Sequence, residues 1–544
     1  MNEQSDFITW DMLHEAAKVQ GMNVYNPMIA YYRKIIKEGL PDRVQVSDKK
    51  APKVCVVGAG MSGLVSAELL SNAGYEVTIL EASHRIGGRI HTVHFPNKDS
   101  SEAGAMRLLE DYRLVFDYIE KLGLKTHKFL NHDPHKQDWV FINGVKVRRE
   151  EYLKNPDCLG FKTSPDEKGK TADQLWKEAL APIMAMVDQK KGLDTTENWQ
   201  NVIERYGKYS VYTYLAEEVK YSQGAIDMIL VMLFLEARMH LSLLQQVVEA
   251  IDHRPKAKYY GIDGGSSQLP ITLADTLTQA ANEVDSKRIP VKIKLKAFVQ
   301  GLTQNKDQDQ VTVSWYKNEH ADKAVKMKGN DQLIYPEKHH VESETFDYAI
   351  VTCTPPAIRR FTFTPPLSGA KQKALREINF SASTKIFLQF AEKFWLNDGF
   401  KSGSSITDLP SRAVYYPCTE NSKVVISSYT WANAARGWDS LTPQQRVEES
   451  LNDLVKLHGE HIRDLFVCGQ SYSWLLDDYS MGEAAMIFPE QLNLQAILAK
   501  PAGNIYFAGD TLSFKVAWIE GAIESGMRAV LELVGLTPVP TENK

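Results

Sequence analysis

Three glycines and a carboxylate constrain this chain more than anything else in it. The segment Val54-Cys-Val-Val-Gly58-Ala-Gly60-Met-Ser-Gly63 opens on an apolar run, and a second apolar run, Val77-Thr-Ile-Leu, closes on Glu81. This order predicts strand, glycine turn, helix and second strand of a doubly wound α/β unit. Gly58 suits the tight turn, Gly60 lets backbone approach a phosphate, and Gly63 lets helix and strand pack closely. The helix then aims unpaired N–H groups and its positive dipole end at a pyrophosphate. Glu81 stands where a ribose hydroxyl would be held. A second glycine turn, Arg85-Ile-Gly-Gly-Arg89, follows at once. That extension favours FAD over NAD, because the flavin half of the ligand needs a further clamp on its phosphate side.

The rest of the composition bounds what surrounds this unit. At 544 residues the chain is too long for one core, so two or three intertwined domains are expected. Its 43% hydrophobic and 24% charged residues are ordinary for a globular protein, and a net charge of −5 gives no reason to expect nucleic acid. Five cysteines are scattered without CxxC spacing, and Cys55 and Cys353 fall in apolar runs, so buried free thiols are expected. No metal site is expected, since His339-His340 and His132 with His135 lie in polar stretches without a third ligand. The first residues lack the basic start and apolar stretch of a secretory signal. The most apolar run, 226–235, is too short for a bilayer and carries Asp227. It reads as a buried helix in a soluble, cytoplasmic protein with no membrane partner.

Along the chain, helical spacing over 8–40 precedes a polar linker at 42–53, and a second helical pattern covers 105–125. A polar loop at 162–173 leads into a helical stretch reaching about 246. The chain turns at Tyr260-Gly-Ile-Asp-Gly264-Gly265, and a helix is expected over 271–283. Strand-like runs follow at 291–295, 297–302 and 311–315, with a hairpin turn at 304–310, a hydrophilic excursion to Glu344 and a buried strand at 348–352. A strand-rich region spans 383–429, and a glycine-marked unit at 504–510 precedes a helix starting near Trp518. Nucleotide signals at both ends predict an FAD domain discontinuous in sequence. The expected division is an N-terminal helical arm at 1–50, FAD segments at 51–130, 259–355 and 476–536, a helical entrance domain at 131–258, a mixed-sheet substrate domain at 356–475 and a frayed tail at 537–544.

Several further motifs carry a resemblance. The glycine turns, Glu102-Ala-Gly-Ala-Met-Arg107, Ser383-Thr-Lys385-Ile-Phe-Leu388 and Phe507-Ala-Gly509-Asp510 with Trp518-Ile-Glu-Gly521 together resemble the flavin amine oxidases. The Glu102 to Arg107 segment, with Thr407-Asp-Leu-Pro-Ser-Arg412, looks closest to L-amino acid oxidases, and the resemblance runs from about 54 to 535. It implies FAD-dependent oxidative deamination of an L-α-amino acid by O₂, giving a 2-oxo acid, ammonia and hydrogen peroxide. Non-covalent FAD and a homo-oligomer, dimer or larger, are implied as well. An amino-acid monooxygenase, a monoamine or polyamine oxidase and a non-catalytic flavin scaffold stay open as alternatives.

The resemblance also places residues. Arg107 would hold the substrate α-carboxylate, for which a planar guanidinium is suited. The alternative pairs it with a buried protein carboxylate, or with the cofactor alone. Tyr429 falls at the second carboxylate contact, or else is a core tyrosine with a satisfied hydroxyl. Lys385 would bind a water beside flavin N5, or else stand on an exposed strand face. Trp518 resembles one wall of an aromatic cage, with the carbonyl of Ala517 accepting from the substrate amine. Trp474, against the cofactor, and Tyr415 are further wall candidates. His240, four residues after Glu236, aligns with a histidine that some relatives place in the site, although Ser381 stands where those relatives carry an arginine. The bland reading is a partly exposed helix histidine. Glu236, or another acid near the pocket, could select a basic side chain. The expected cofactor contacts are Gly58, Gly60, Met61, Ser62, Gly63, Glu81, Ala82, Arg89, Gly104, Ala105, Met106, Arg107, Val299, Trp474, Gly509, Asp510, Trp518 and Ile519.

Overall fold

The computed structural model describes residues 22–44, 46, 50–253, 257–279, 288–305, 307, 309–317, 340–419, 421–513 and 515–536. At its centre lies a five-stranded parallel sheet in the order Lys292–Lys294, Glu76–Leu80, Lys53–Val57, Tyr348–Val351, Ile505–Phe507. Three separated stretches of chain thus build one sheet. Its inner strands are buried on both faces, which is why Val54-Cys-Val-Val and Ala349-Ile-Val read as unbroken apolar runs. Helices Met61–Asn72 and Ile519–Leu533 pack against each other beside the sheet.

The second layer is a seven-stranded mixed sheet, ordered Phe466–Ser473, Ser383–Phe390, Val424–Trp431, Ala413–Tyr416, Gly403–Thr407, Trp139–Ile142, Val145–Arg148. Helix Pro443–His458 covers one face of it and forms a separate apolar core with Ile386, Leu388, Val425 and Leu454. The helices Ala172–Met186, Thr196–Tyr206, Gln223–Met232 and Leu243–Asp252 make up the helical region, and the run around Ile226 is buried there as expected while Asp227 faces out.

Four local expectations are corrected. Residues 105–110 are not helical: Leu108–Leu109 forms a short strand antiparallel to Tyr259–Ile262, and the helix starts only at Arg113–Lys121. The apolar spacing there serves strand pairing, and of the turn expected over 260–265 the first three residues belong to the partner strand while the chain turns at Asp263 and Gly264. Strands Trp139–Ile142 and Val145–Arg148 belong to the mixed sheet rather than to the helical region. Val341–Phe346 extends a four-stranded sheet by pairing with Val311–Lys317, so the hydrophilic excursion ends in a polar edge strand. The helix expected over 271–283 runs Gln268–Thr278. Residues 1–21 of the N-terminal arm, the central part of the excursion and the tail from 537 lie outside the described residues.

Candidate active site

A cavity of about 1310 Å³ opens where the carboxyl ends of the parallel strands meet the mixed sheet. Ligands of open α/β sheets bind at this edge, and the volume exceeds that of an ordinary small-molecule pocket. The loops following four of the strands line it, through Gly58 and Gly60, Glu81 and Ala82, Thr352 to Thr354, and Gly509 and Asp510.

The nucleotide end is made of backbone. Helix Met61–Asn72 has Gly60 at its N-cap with no side-chain cap, so its first N–H groups are free for an anion. A Cβ on Gly60 would meet nothing within 4 Å of protein and would stand in the cavity instead. A Cβ on Gly63 would lie 2.1 Å from the Gly58 carbonyl oxygen, so this position admits only glycine. The Ser62 hydroxyl beside this turn is buried with no partner among the described residues. Glu81 accepts from the N–H groups of Ala59 and Ser83, both at 2.8 Å, which holds the turn and leaves a second lone pair on each oxygen for a ribose. Uncapped helix, open glycine, orphaned hydroxyl and carboxylate fit an adenine dinucleotide.

Arg89 leaves the second glycine turn to form an ion pair with Asp510, and its Nη1 also donates to the Glu483 carbonyl at 2.6 Å. The first and last of the three stretches that build the parallel sheet are thereby tied together across the cavity.

The far end is made of side chains. Arg107 donates through Nη1 to Asn131 Oδ1 at 2.6 Å and lies 3.4 Å from the Tyr415 hydroxyl, with the rings of Tyr259 and Tyr415 over its guanidinium. Among the described residues no carboxylate is ion-paired with it. The strand pairing of Leu108–Leu109 with Tyr259–Ile262 brings Tyr259 to this place. Tyr259 hydrogen-bonds His253 Nδ1 at 2.5 Å, and the imidazole packs on Trp518 with centroids 5.2 Å apart. Burial, followed by the charge of Arg107, holds His253 down to about 3, so the ring is neutral at ordinary pH.

Lys385 lies fully buried in the middle of strand Ser383–Phe390, which excludes the exposed-face alternative. Its Nζ donates to the carbonyls of Glu102 and Gly104 at 2.9 and 2.8 Å and touches Met106 Sδ at 3.4 Å. Burial lowers it to about 7. Lys385 therefore stands one layer behind the cavity wall and fastens the segment leading to Arg107. The same segment explains Gly104: a Cβ there would fall 1.8 Å from the Arg89 carbonyl, so the close approach is to protein backbone.

Most residues expected at the site do line the cavity, including Arg107, Tyr429, Trp474, Val299, Ala517, Trp518 and Ile519. Gly63 and Lys385 act from behind it. His240 is exposed and lines no part of it, because Glu236–Arg238 is a short 3₁₀ turn rather than an α-helical face, and Glu236 pairs with Arg412. Two histidines line the cavity among the described residues, His132 and His253; the latter stands thirteen residues after His240, where Ile251-Asp-His at a helix end carries no motif that sequence reading could use. Tyr429 lines the cavity and, as one of its two expected readings has it, its hydroxyl is satisfied, donating to Glu483 Oε1 at 2.8 Å. Glu483 carries no sequence signal, for Met481-Gly-Glu-Ala has no pattern beyond a turn.

Fold and cavity define a class: proteins that seat a dinucleotide on the carboxyl edge of a parallel sheet and enclose a second compartment under a mixed sheet. The chain belongs to the family of flavin-containing amine oxidoreductases, which it matches over residues 61–534. It is 35% identical to YobN of Bacillus subtilis (strain 168), provisionally named an L-amino-acid oxidase, over 92% of this chain and 97% of that one. Identity to the L-amino-acid oxidase of Vipera ammodytes ammodytes is 34%, over 93% and 98%. Putrescine oxidase bound to putrescine shares the fold, with a TM-score of 0.66 at 20% identity over 89% and 99%. The protein is thus a flavin-dependent oxidoreductase. Among the described residues no helix is long and apolar enough to cross a membrane, and no group of three metal-ligating side chains occurs.

Proposed function

We propose that the protein oxidises L-α-amino acids to 2-oxo acids, ammonia and hydrogen peroxide, with O₂ as electron acceptor. The observation that carries this reading is Arg107, a guanidinium in the cavity wall without a carboxylate partner among the described residues. An unpaired buried cation is costly, and a substrate carboxylate relieves the cost through two parallel hydrogen bonds. Simple amines offer nothing to this group. The relatives named above as L-amino-acid oxidases support the same choice.

FAD, when bound, supplies the two-electron step, taking hydride from Cα and passing the electrons to O₂. Gly58, Gly60, Ser62, Glu81 and Asp510 would hold it. Cys353 lines the cavity, but burial pushes its thiol up to about 12 and its Sγ rests on the Val57 carbonyl beside the first turn, which supports non-covalent binding. Arg107 orients the substrate, and the Tyr415 hydroxyl, already an acceptor for Arg107, keeps its own proton for a carboxylate oxygen. Trp518 and Tyr259 present aromatic walls. Neutral His253 serves as a hydrogen-bonding wall group of constant charge, since a ring held down to about 3 is too weak a base to take the substrate's proton. Hydride leaves Cα only when the amine is neutral, so reduction accelerates as pH rises through the substrate amine's titration.

The test compares flavin reduction by L-phenylalanine and by 2-phenylethylamine, which lacks only the carboxylate, in the wild type and in Arg107→Ala. The proposal expects the amino acid to reduce the wild type alone. Equal reduction of both proteins by L-phenylalanine would contradict it.

A further inference from the structure

Of the carboxylates that line the cavity among the described residues, Asp173 and Asp478 are exposed, and one of the other four has neither a cation nor a backbone N–H to answer its charge. Glu81 takes backbone N–H groups, Asp510 pairs with Arg89, and Glu249 pairs with Arg238. Glu483 instead accepts two neutral donors on one oxygen, the Tyr429 hydroxyl at 2.8 Å and Trp431 Nε1 at 3.3 Å. Its Oε2 has no hydrogen-bond partner among the described residues. The cations that act on it electrostatically, Lys385 and Arg238, are committed to the carbonyls of Glu102 and Gly104 and to Glu249 respectively. The residue is also held in place, since its N–H donates to the Ser381 carbonyl and its carbonyl accepts from Arg89. Burial raises its carboxyl above the usual range, a cost that a cation beside it would remove.

The cavity therefore carries a guanidinium without an anion and a carboxylate without a cation. Tyr415, which touches Arg107, and Tyr429, which touches Glu483, bridge them with ring centroids 6.4 Å apart. A zwitterion answers both charges at once. Resting on the amino-acid reading above, we propose that Glu483 binds the ammonium group of the substrate. That ammonium belongs either to Cα or to the end of a basic side chain, and the two are separable by experiment.

The test uses the holoenzyme and Glu483→Gln, which keeps the size and the Oε1 acceptor for Tyr429 and Trp431 while removing the charge. Binding of benzoate, a ligand with a carboxylate and no amine, is followed by the flavin spectrum, and anaerobic reduction is measured with L-leucine and L-lysine. A charge-assisted hydrogen bond predicts that apparent affinity for the amino acids falls by about ten-fold or more. Benzoate is expected to bind as well or better, because a neighbouring negative charge has gone. Equal losses for leucine and lysine assign the α-ammonium, and a loss confined to lysine assigns the side-chain ammonium. Glu483→Asp, which keeps the charge, should recover part of the affinity. Unchanged amino-acid affinities would overturn the proposal, as would benzoate weakening in step with them, since a merely structural role moves both together. If the wild type is reduced by benzylamine and by no amino acid, the amino-acid reading fails. An affinity loss for benzylamine in Glu483→Gln would then still support the ammonium site, and no loss would overturn it.

Discussion

The two ends of the cavity are built from different parts of the chain. At the nucleotide end the determining groups are backbone N–H donors, glycines and Glu81, all within residues 58–83, with Asp510 the one group brought from far along the chain. At the substrate end they are side chains delivered from afar: Arg107, Asn131, His253, Tyr259, Tyr415, Tyr429 and Glu483. A backbone site needs only a local conformation, so it tolerates change elsewhere and fails when a hydrogen is replaced by a methyl. A side-chain site needs long-range packing to be correct, and each of its groups can be removed with the fold intact. Damage at the two ends should therefore look different.

Arg107→Ala should have the largest effect. Loss of a buried charge-pair partner costs about 2–5 kcal/mol, so kcat/KM for L-amino acids should fall by roughly two orders of magnitude or more. Flavin content should stay unchanged, because no backbone of the cradle moves. Loss of flavin along with activity would show that the ends are not separable. Gly63→Ala should do the reverse. Its methyl would sit 2.1 Å from the Gly58 carbonyl, and overpacking against backbone costs about 1–3 kcal/mol or more, read as lower flavin occupancy and an earlier thermal transition.

Lys385 offers a pH-dependent test. Its ammonium is lowered to about 7 in the folded protein from 10.5, so between these values the unfolded chain holds the extra proton and stability rises with pH. Below about 7 both states are protonated and the full burial penalty applies. Lys385→Met should therefore be most stabilised relative to wild type at or below pH 7, with the gap in thermal midpoint narrowing towards pH 10. A pH-independent gap would contradict the shift. The smallest effect belongs to Ala517, an alanine at φ +69°. Ala517→Gly relieves the left-handed strain of about 1–2 kcal/mol but raises unfolded-state entropy, so a gain under about 1 kcal/mol is expected in chemical denaturation.

These differences explain what could be read in advance. Gly58 to Glu81 is a contiguous pattern whose spacing states its own geometry, and Arg107 and Lys385 were found because each sits beside such a pattern. Lys385 was placed on the right strand, yet its partners, the carbonyls of Glu102 and Gly104, are 281 or more residues away and no periodicity points to them. The residues around Arg107 were expected on a helix because apolar spacing there fits one, until pairing with Tyr259–Ile262 overrides it. His253 and Glu483 have no local signature at all. Both reach the site through the ends of short connections whose course only the packed fold determines, whereas His240 is singled out only by its alignment with a histidine of some relatives.

The central claim is that this cavity reads a carboxylate. The most direct measurement is anaerobic reduction of the wild-type holoenzyme by L-phenylalanine and by 2-phenylethylamine at equal concentration. Bleaching by the amino acid, with little or none by the amine, is the predicted result. Bleaching by the amine as fast as by the amino acid would mean that Arg107 answers to something else and that the protein acts on simple amines.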